Sequence, residues 1–150
     1  MKLETAIQST GFKNEKQKAV VNIMYTAYQV KTRISNVLKD YGLTPEQYNV
    51  LRILKGKYPD KMCVKDIAER LIERSSNVPR IVDRLEIKKL VKRSQSGIDR
   101  RETVINLAQA GINLLDAVNP VLEQSHNHIS ELEEAEVKLL NELLDRYLKD

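Results

Sequence analysis

Between residues 74 and 101 the chain sets out side chains suited to binding anions and base edges. They are Arg74, Ser75, Ser76, Asn77, Arg80 and Arg84, then Arg93, then Asp99-Arg100-Arg101. Val78, Ile81, Val82 and Leu85 recur at i, i+3, i+4 and i+7, which predicts a short helix with one apolar face. Its opposite face carries Ser76, Asn77, Arg80 and Arg84, with Lys88 near the end. An asparagine amide pairs bidentately with adenine N6 and N7, and a guanidinium with guanine O6 and N7. In helix-turn-helix proteins, residues near the N-terminus of the reading helix enter the major groove most deeply. Asn77 and Arg80 are therefore the candidates for base edges. Arg74, Ser75 and Ser76 are better placed for phosphates, assisted by the helix dipole. A polar face alone is what any surface helix shows. The loop that follows tips the balance. Exposed ion pairs stabilise a hairpin by only about 0–1 kcal/mol, whereas an arginine on a projecting turn suits a narrow minor groove. Asp99 is expected to pair with Arg100 or Arg101 and hold the loop. Which arginine enters the groove and which braces the loop stays open.

These residues need elements to position them. Thr44-Pro45-Glu46-Gln47 reads as a helix start, with Thr44 as cap, Pro45 at the first helical position and Gln47 closing a capping box. Tyr48, Leu51 and Leu54 give that helix its buried stripe, and residues Gly56 to Asp60 read as the loop after it. Val64, Ile67, Ala68 and Leu71 mark a third, short helix. The helix over Val78–Leu85 follows it, capped by Ser76 or Asn77 because Pro79 is tolerated only in a first turn. Two short helices joined by a polar link make a helix-turn-helix. Leu90–Ser94 and Glu102–Leu107 read as two strands of a hairpin wing, with Gly97 in the turn between them.

Long helices flank this lobe. Val20, Ile23, Ala27, Val30, Ile34, Val37 and Tyr41 alternate steps of three and four, an a/d-like seam on a helix from about 14 to 41 that seeks a helical partner. Gly42 stops it. Leu115, Val118, Leu122, Ser125, Ile129 and Leu132 repeat in the same way, with Pro120 inside the pattern expected to kink the helix or displace one bond. A last helix, about Glu133 to Leu148, aligns Val137, Leu140, Leu144 and Tyr147. The expected fold is mainly α with a small β-hairpin wing. A winged helix-turn-helix core over about 44–107 carries long N- and C-terminal dimerisation helices over about 14–41 and 108–148, in one domain of 150 residues.

Net charge is +4, but its distribution says more. Residues 1–62 carry +6, residues 63–102 carry +4 and residues 103–150 carry −6. The two ends cancel if they pack together, and the middle keeps a positive excess for phosphates. With one Cys no internal disulfide forms. The N-terminus lacks an apolar signal segment, and no run approaches the roughly 18–20 apolar residues of a membrane span, so a cytoplasmic location is expected.

The segment from Leu43 to Leu115 resembles the winged-helix core of the MarR family of transcriptional regulators. The likeness rests on Leu43-Thr-Pro-Glu-Gln-Tyr-Asn-Val-Leu51, Val64-Lys-Asp-Ile-Ala-Glu-Arg-Leu71, Val82-Asp-Arg-Leu through Val91-Lys-Arg93, Asp99-Arg-Arg101 and Leu107 to Gly111. It implies a homodimer with interleaved terminal helices, bound to a pseudo-palindromic operator and released or tightened by a small effector. Repressors are the commonest members. One departure is Ala108, where the family usually places a capping Thr; Asn106 is the substitute cap expected here.

Other signals are weaker. Cys63 stands where a Ser or Thr cap would stand before the third helix. A thiol there can have a lowered pKa and react with oxidants, although the more economical reading is a small residue replacing Ser. His126 and His128 are two apart and do not form an i, i+4 metal pair. Tyr25, Tyr28 and Tyr48 with Arg33 and Arg52 are candidates to line a site for a small anionic aromatic effector, or are ordinary core and rim residues. No nucleophile elbow or phosphate loop appears, nor any carboxylate pair beyond the acidic Glu131–Glu136 run, read as the solvated start of the last helix, so neither enzymatic activity nor a cofactor is expected. The expectation is a sequence-specific, double-stranded-DNA-binding regulator. The alternatives are a winged-helix protein-interaction adaptor, or a small-molecule-binding protein that does not touch DNA.

Overall fold

Gly42 turns the chain from the first long helix into the helix-turn-helix lobe, and its backbone shows why a glycine stands there. In this computed structural model, which describes residues 1–148, Gly42 has φ +68°. The N–H of Leu43 donates to the Leu38 carbonyl and that of Gly42 to the Lys39 carbonyl, a Schellman closure whose apolar partners, Leu38 and Leu43, are both buried. The long helix itself spans Glu15–Lys39 (α2) and is capped by the Asn14 side chain on the Gln17 N–H. A single turn, Leu3–Ala6 (α1), precedes it and has no counterpart in the sequence pattern.

Pro45–Lys57 (α3) begins with the expected capping box. Thr44 Oγ1 accepts from the Gln47 N–H, and Gln47 Oε1 accepts from the Thr44 N–H. Its buried stripe is Gln47, Val50, Leu51 and Leu54, with Tyr48 only half-buried. The helix runs through Gly56 and Lys57, so the loop expected from Gly56 begins only at Tyr58. Met62–Cys63 (β1) then pairs antiparallel with the distant Thr103–Leu107 (β3). This two-residue strand is too short for a period-2 signal, and it makes the sheet three-stranded, in the order β1-β3-β2. Val64–Ala68 (α4) ends before Leu71, shorter than its apolar pattern suggests. Val78–Ile87 (α5) and Val91–Gln95 (β2) follow. The hairpin register pairs Val91 with Leu107 and Gln95 with Thr103.

Gln109–Asn127 (α6) starts at Ala108, which has no side-chain cap. Asn106 does not substitute: its Oδ1 is buried without a partner, because Asn106 lies in the β3 ladder opposite Lys92, short of the helix start. Pro120 is accommodated inside α6, which stops at Asn127, so Ile129 and Leu132 fall beyond it. Glu134–Asp145 (α7) is the last helix of the described residues, with Glu133 and Glu136 forming its capping box. Leu38, Leu51, Leu54, Ile67, Leu85, Ile105, Leu115 and Leu122 are fully buried in one core cluster that joins the helical layer to the lobe. No buried residue lies on α7.

Candidate nucleic-acid interface

Helix α5 is fastened at both ends. At its start Asn77 Oδ1 accepts the Arg80 N–H at 3.1 Å, so Asn77 is the cap. This engages the oxygen that a bidentate pair with adenine would use and leaves the amide nitrogen. Val78, Val82 and Leu85 are buried beneath, and Arg80 and Arg84 are exposed on the other side. At its end Lys88 Nζ donates to the Gly42 carbonyl and, at 3.1 Å, to Gln47 Oε1. Lys88 thus ties the helix to the turn before α3, and its ammonium is engaged there although the residue is exposed. Lys89 then adopts φ +59° and Leu90 closes on the Leu85 carbonyl.

The connector into this helix, residues 69–77, has no regular structure after the α4 cap, and Arg74, Ser75 and Asn77 are exposed. A groove of about 530 Å³ runs beside it, walled by Gln47, Glu73, Ser76, Arg80 and Arg84. Ser75, Ser76 and Asn77 also border it, so the proposed phosphate and base groups share one depression.

The wing tip is shaped by hydroxyl and carboxylate acceptors. Ser96 Oγ accepts from the Ile98 N–H at 3.2 Å and from the Asp99 N–H at 3.4 Å. Asp99 Oδ1 accepts the backbone N–H of Arg101 at 3.0 Å. Asp99 therefore holds the loop through the main chain, not through a guanidinium as expected, since its short side chain closes a local Asx turn first. Gly97 has neither a positive φ nor a neighbour that would meet a Cβ, so this turn does not depend on glycine.

The arginines divide into two kinds. Arg93 donates to the Asp83 carboxylate, joining β2 to α5. Among the described residues Arg74, Arg80, Arg84, Arg100 and Arg101 enter no ion pair, and all five are exposed. The sequence places Arg93 with the DNA contacts; the geometry makes it a link between helix and wing. Sequence reasoning missed Lys31 and Glu73. Lys31 of α2 donates to Glu46 of α3 at 2.9 Å and to Glu73 of the connector at 2.5 Å. Its pKa is raised, first by Glu73 and then by Glu46. Burial works against ionising Glu46, but the Lys31 hydrogen bond and a backbone N–H outweigh it and hold the carboxyl below its ordinary value. These pairings lie 15 and 42 residues apart in sequence, beyond any local pattern.

Cys63 is the cap of α4, accepting the Asp66 N–H at 3.4 Å. That hydrogen bond favours the thiolate, but burial and the carboxylates of Asp66 and Glu102 outweigh it and push the thiol's pKa up. The lowered pKa expected of a reactive thiol at this helix start is absent, and the Ser-like cap is what the geometry supports.

The family model described as "MarR family" matches residues 43–103. The regulator MhqR of Bacillus subtilis is 30% identical over 136 residues, covering 88% of this chain and 91% of its own. The regulator MgrA of Staphylococcus aureus is 31% identical over 139 residues, covering 90% of each chain. Among solved structures, a mutant of MarR from E. coli in complex with operator DNA has TM-score 0.80 at 21% identity, covering 93% of this chain and 100% of its own. At that identity the likeness speaks to the fold.

Proposed function

This chain belongs to the MarR family of DNA-binding transcriptional regulators, and from that premise we propose that it acts as a homodimeric repressor whose grip on a pseudo-palindromic operator is set by a small effector. The observation that carries the site assignment is the division of the arginines. Arg74 on the connector, Arg80 and Arg84 on the recognition helix, and Arg100 and Arg101 on the wing enter no ion pair among the described residues, while Arg93 is held by Asp83. Unpaired surface arginines in this order fit a backbone that must be met by cations and read by forks. Arg80 and Arg84 would read major-groove edges. Arg74, Ser75 and Ser76 would take phosphates, and Arg100 or Arg101 would enter the minor groove. Asn77 would serve as cap and offer its amide nitrogen to the groove.

Two copies would stand roughly 34–36 Å apart at their recognition helices, one DNA turn. The dimer is supported by α7 and the turn after it, where Val137, Leu140, Leu144 and Tyr147 are 38–43% exposed in one protomer, and by the +6 and −6 charges of the two ends. We read the chain as one domain, with the DNA lobe at about 44–107. Residues 149 and 150, at the end of the 1–150 domain, lie outside the described residues. The effector we propose is small, aromatic and anionic. Tyr25, Tyr28 and Tyr48 would supply ring faces and Arg33 and Arg52 the countercharge. Tyr48 would offer its ring, because its hydroxyl donates to Asn119 Oδ1 at 2.8 Å. The proposed work is binding in the cytoplasm, with no catalytic step.

Fluorescence anisotropy on the DNA upstream of its own coding region, at two salt concentrations, tests the reading. Specific binding that weakens steeply with salt is expected. Arg80→Ala should weaken it by about 1–3 kcal/mol and relax base preference at one position per half-site. An equal loss on all sequences would make Arg80 a phosphate contact. No specific binding and no salt slope would point instead to an adaptor or a small-molecule-binding protein.

A further inference from the structure

We propose that Lys31 is a positioning residue for DNA recognition, setting the recognition helix against α2 by gripping Glu73 in the connector before it. The inference rests on the DNA-binding reading and adds to it a residue that touches no DNA. Three segments distant in sequence converge on one ammonium group: α2 through Lys31 itself, the first turn of α3 through Glu46, and the connector through Glu73. Glu73 stands four residues before the cap Asn77, and its carbonyl accepts the Ser76 N–H at 3.1 Å. A displacement of Glu73 therefore passes directly into Ser75-Ser76-Asn77, where phosphates would land.

The connector depends on such anchors. It lacks a ladder of its own, and besides the Lys31 bond to the Glu73 side chain the anchor from outside it is Asn49 Oδ1, which accepts the backbone N–H of Ile72 at 3.1 Å. Ile72 is thus held by α3 and Glu73 by α2. Charge adds a second effect. Glu46 and Glu73 both border the groove beside Ser75 and Ser76. Without Lys31 two carboxylates would face each other there and would also repel an arriving phosphate. With it, one cation stands between them and offsets half of their charge. The side chains of Lys31, Glu46 and Glu73 are 45%, 29% and 49% exposed, so the cluster contributes little to global stability. Its effect on where the connector sits is separable from folding.

The test is a double-mutant cycle read by anisotropy on a duplex that the wild-type protein selects from a random library. Lys31→Met is expected to weaken binding about tenfold in the wild-type background and less than about threefold when Glu73→Gln is already present. Lys31→Arg should stay within about threefold of wild type, because a guanidinium can grip the same carboxylates. The slope of log K against log salt should change by well under one for Lys31→Met, since no phosphate contact is lost. The melting temperature should move by no more than about 3 °C. Equal loss in both backgrounds overturns the proposal, as does a slope reduced by about one, which would make Lys31 a phosphate contact. A wild-type protein that selects no duplex overturns the DNA reading itself, and the proposal with it.

Discussion

Arg93 on β2 donates to the carboxylate of Asp83, the α5 residue immediately before Arg84, so the first wing strand is joined to the recognition helix through a side-chain pair. In the proposed reading helix and wing address different grooves, and a fixed angle between them is part of fitting both. Asp83 and Arg93 are 57% and 35% exposed, so the pair stabilises the fold by no more than about 1 kcal/mol. Asp83→Asn should leave urea unfolding almost unchanged while lowering operator affinity several-fold at an unaltered salt slope. If binding instead tightens and the salt slope steepens, Arg93 is a phosphate contact that Asp83 restrains.

The wing arginines should separate by salt dependence. Arg100 and Arg101 are both exposed, and only the backbone of Arg101 is held, by Asp99. Replacing the residue that enters the minor groove should weaken binding most on A·T-rich flanks, where that groove is narrow. Replacing a phosphate contact should weaken all sequences alike and reduce the salt slope by about one. Anisotropy of Arg100→Ala and Arg101→Ala on flank variants distinguishes the two. If neither change affects affinity, the wing does not bind DNA.

Much of this arrangement is legible in the sequence because its signals are local. The capping box of Thr44 and Gln47, the glycine turn at Gly42, the apolar face of Val78, Val82 and Leu85, and the hairpin on either side of Asp99 each lie within one turn or one strand pair. What does not show is set by contacts across the fold. β1 exists because Met62 and Cys63 meet Ile105 and Val104, some 40 positions on. Lys88 reads as part of the polar face, and only the three-dimensional proximity of the α2–α3 turn reveals its partners, Gly42 and Gln47. Residue type suggests an arginine side chain as the partner of Asp99, which binds an adjacent main-chain N–H instead. In each case a tertiary or backbone partner outcompetes the one suggested by residue type.

Two helical glycines should respond to alanine with opposite signs. A Cβ on Gly111 would lie 2.3 Å from the Leu90 carbonyl oxygen and 2.8 Å from Leu107 Cδ1. That carbonyl is also fixed by the Ala108 N–H at 3.0 Å, so it cannot move aside cheaply. Gly111→Ala should destabilise by about 1–3 kcal/mol or more. Gly56, in α3, has nothing within 4 Å of the same position. Gly56→Ala should stabilise by about 0.4–1 kcal/mol through the unfolded chain. Urea midpoints at constant m check both.

Lys89 closes the recognition helix in a left-handed conformation, φ +59°, without the glycine that Gly42 provides at the equivalent closure of α2. A side chain there costs roughly 1–2 kcal/mol in backbone strain, part of which glycine returns as conformational entropy. Lys89→Gly should therefore raise stability by up to about 1 kcal/mol. Because the Leu90-to-Leu85 bond is retained, operator affinity should change little beyond the loss of one charge. A destabilised Lys89→Gly would mean that the lysine stem makes packing contacts worth more than the strain.

Tyr48 should make stability depend on alkaline pH. Burial raises its phenol pKa, with the Arg52 charge acting weakly the other way, and the hydroxyl donates to Asn119 Oδ1, linking α3 to α6. In the unfolded chain the phenol ionises near its ordinary value of about 10. Above that pH the native state binds the proton more tightly than the unfolded state, so unfolding releases it. The contribution is thus complete below about pH 10 and is lost as pH rises through the raised native value. Tyr48→Phe removes the hydrogen bond and should cost about 0.5–1.5 kcal/mol at neutral pH. The gap between wild type and Tyr48→Phe should then narrow in urea titrations taken above pH 10. A gap that stays constant across that range would show that the Tyr48 phenol titrates alike in the folded and unfolded states.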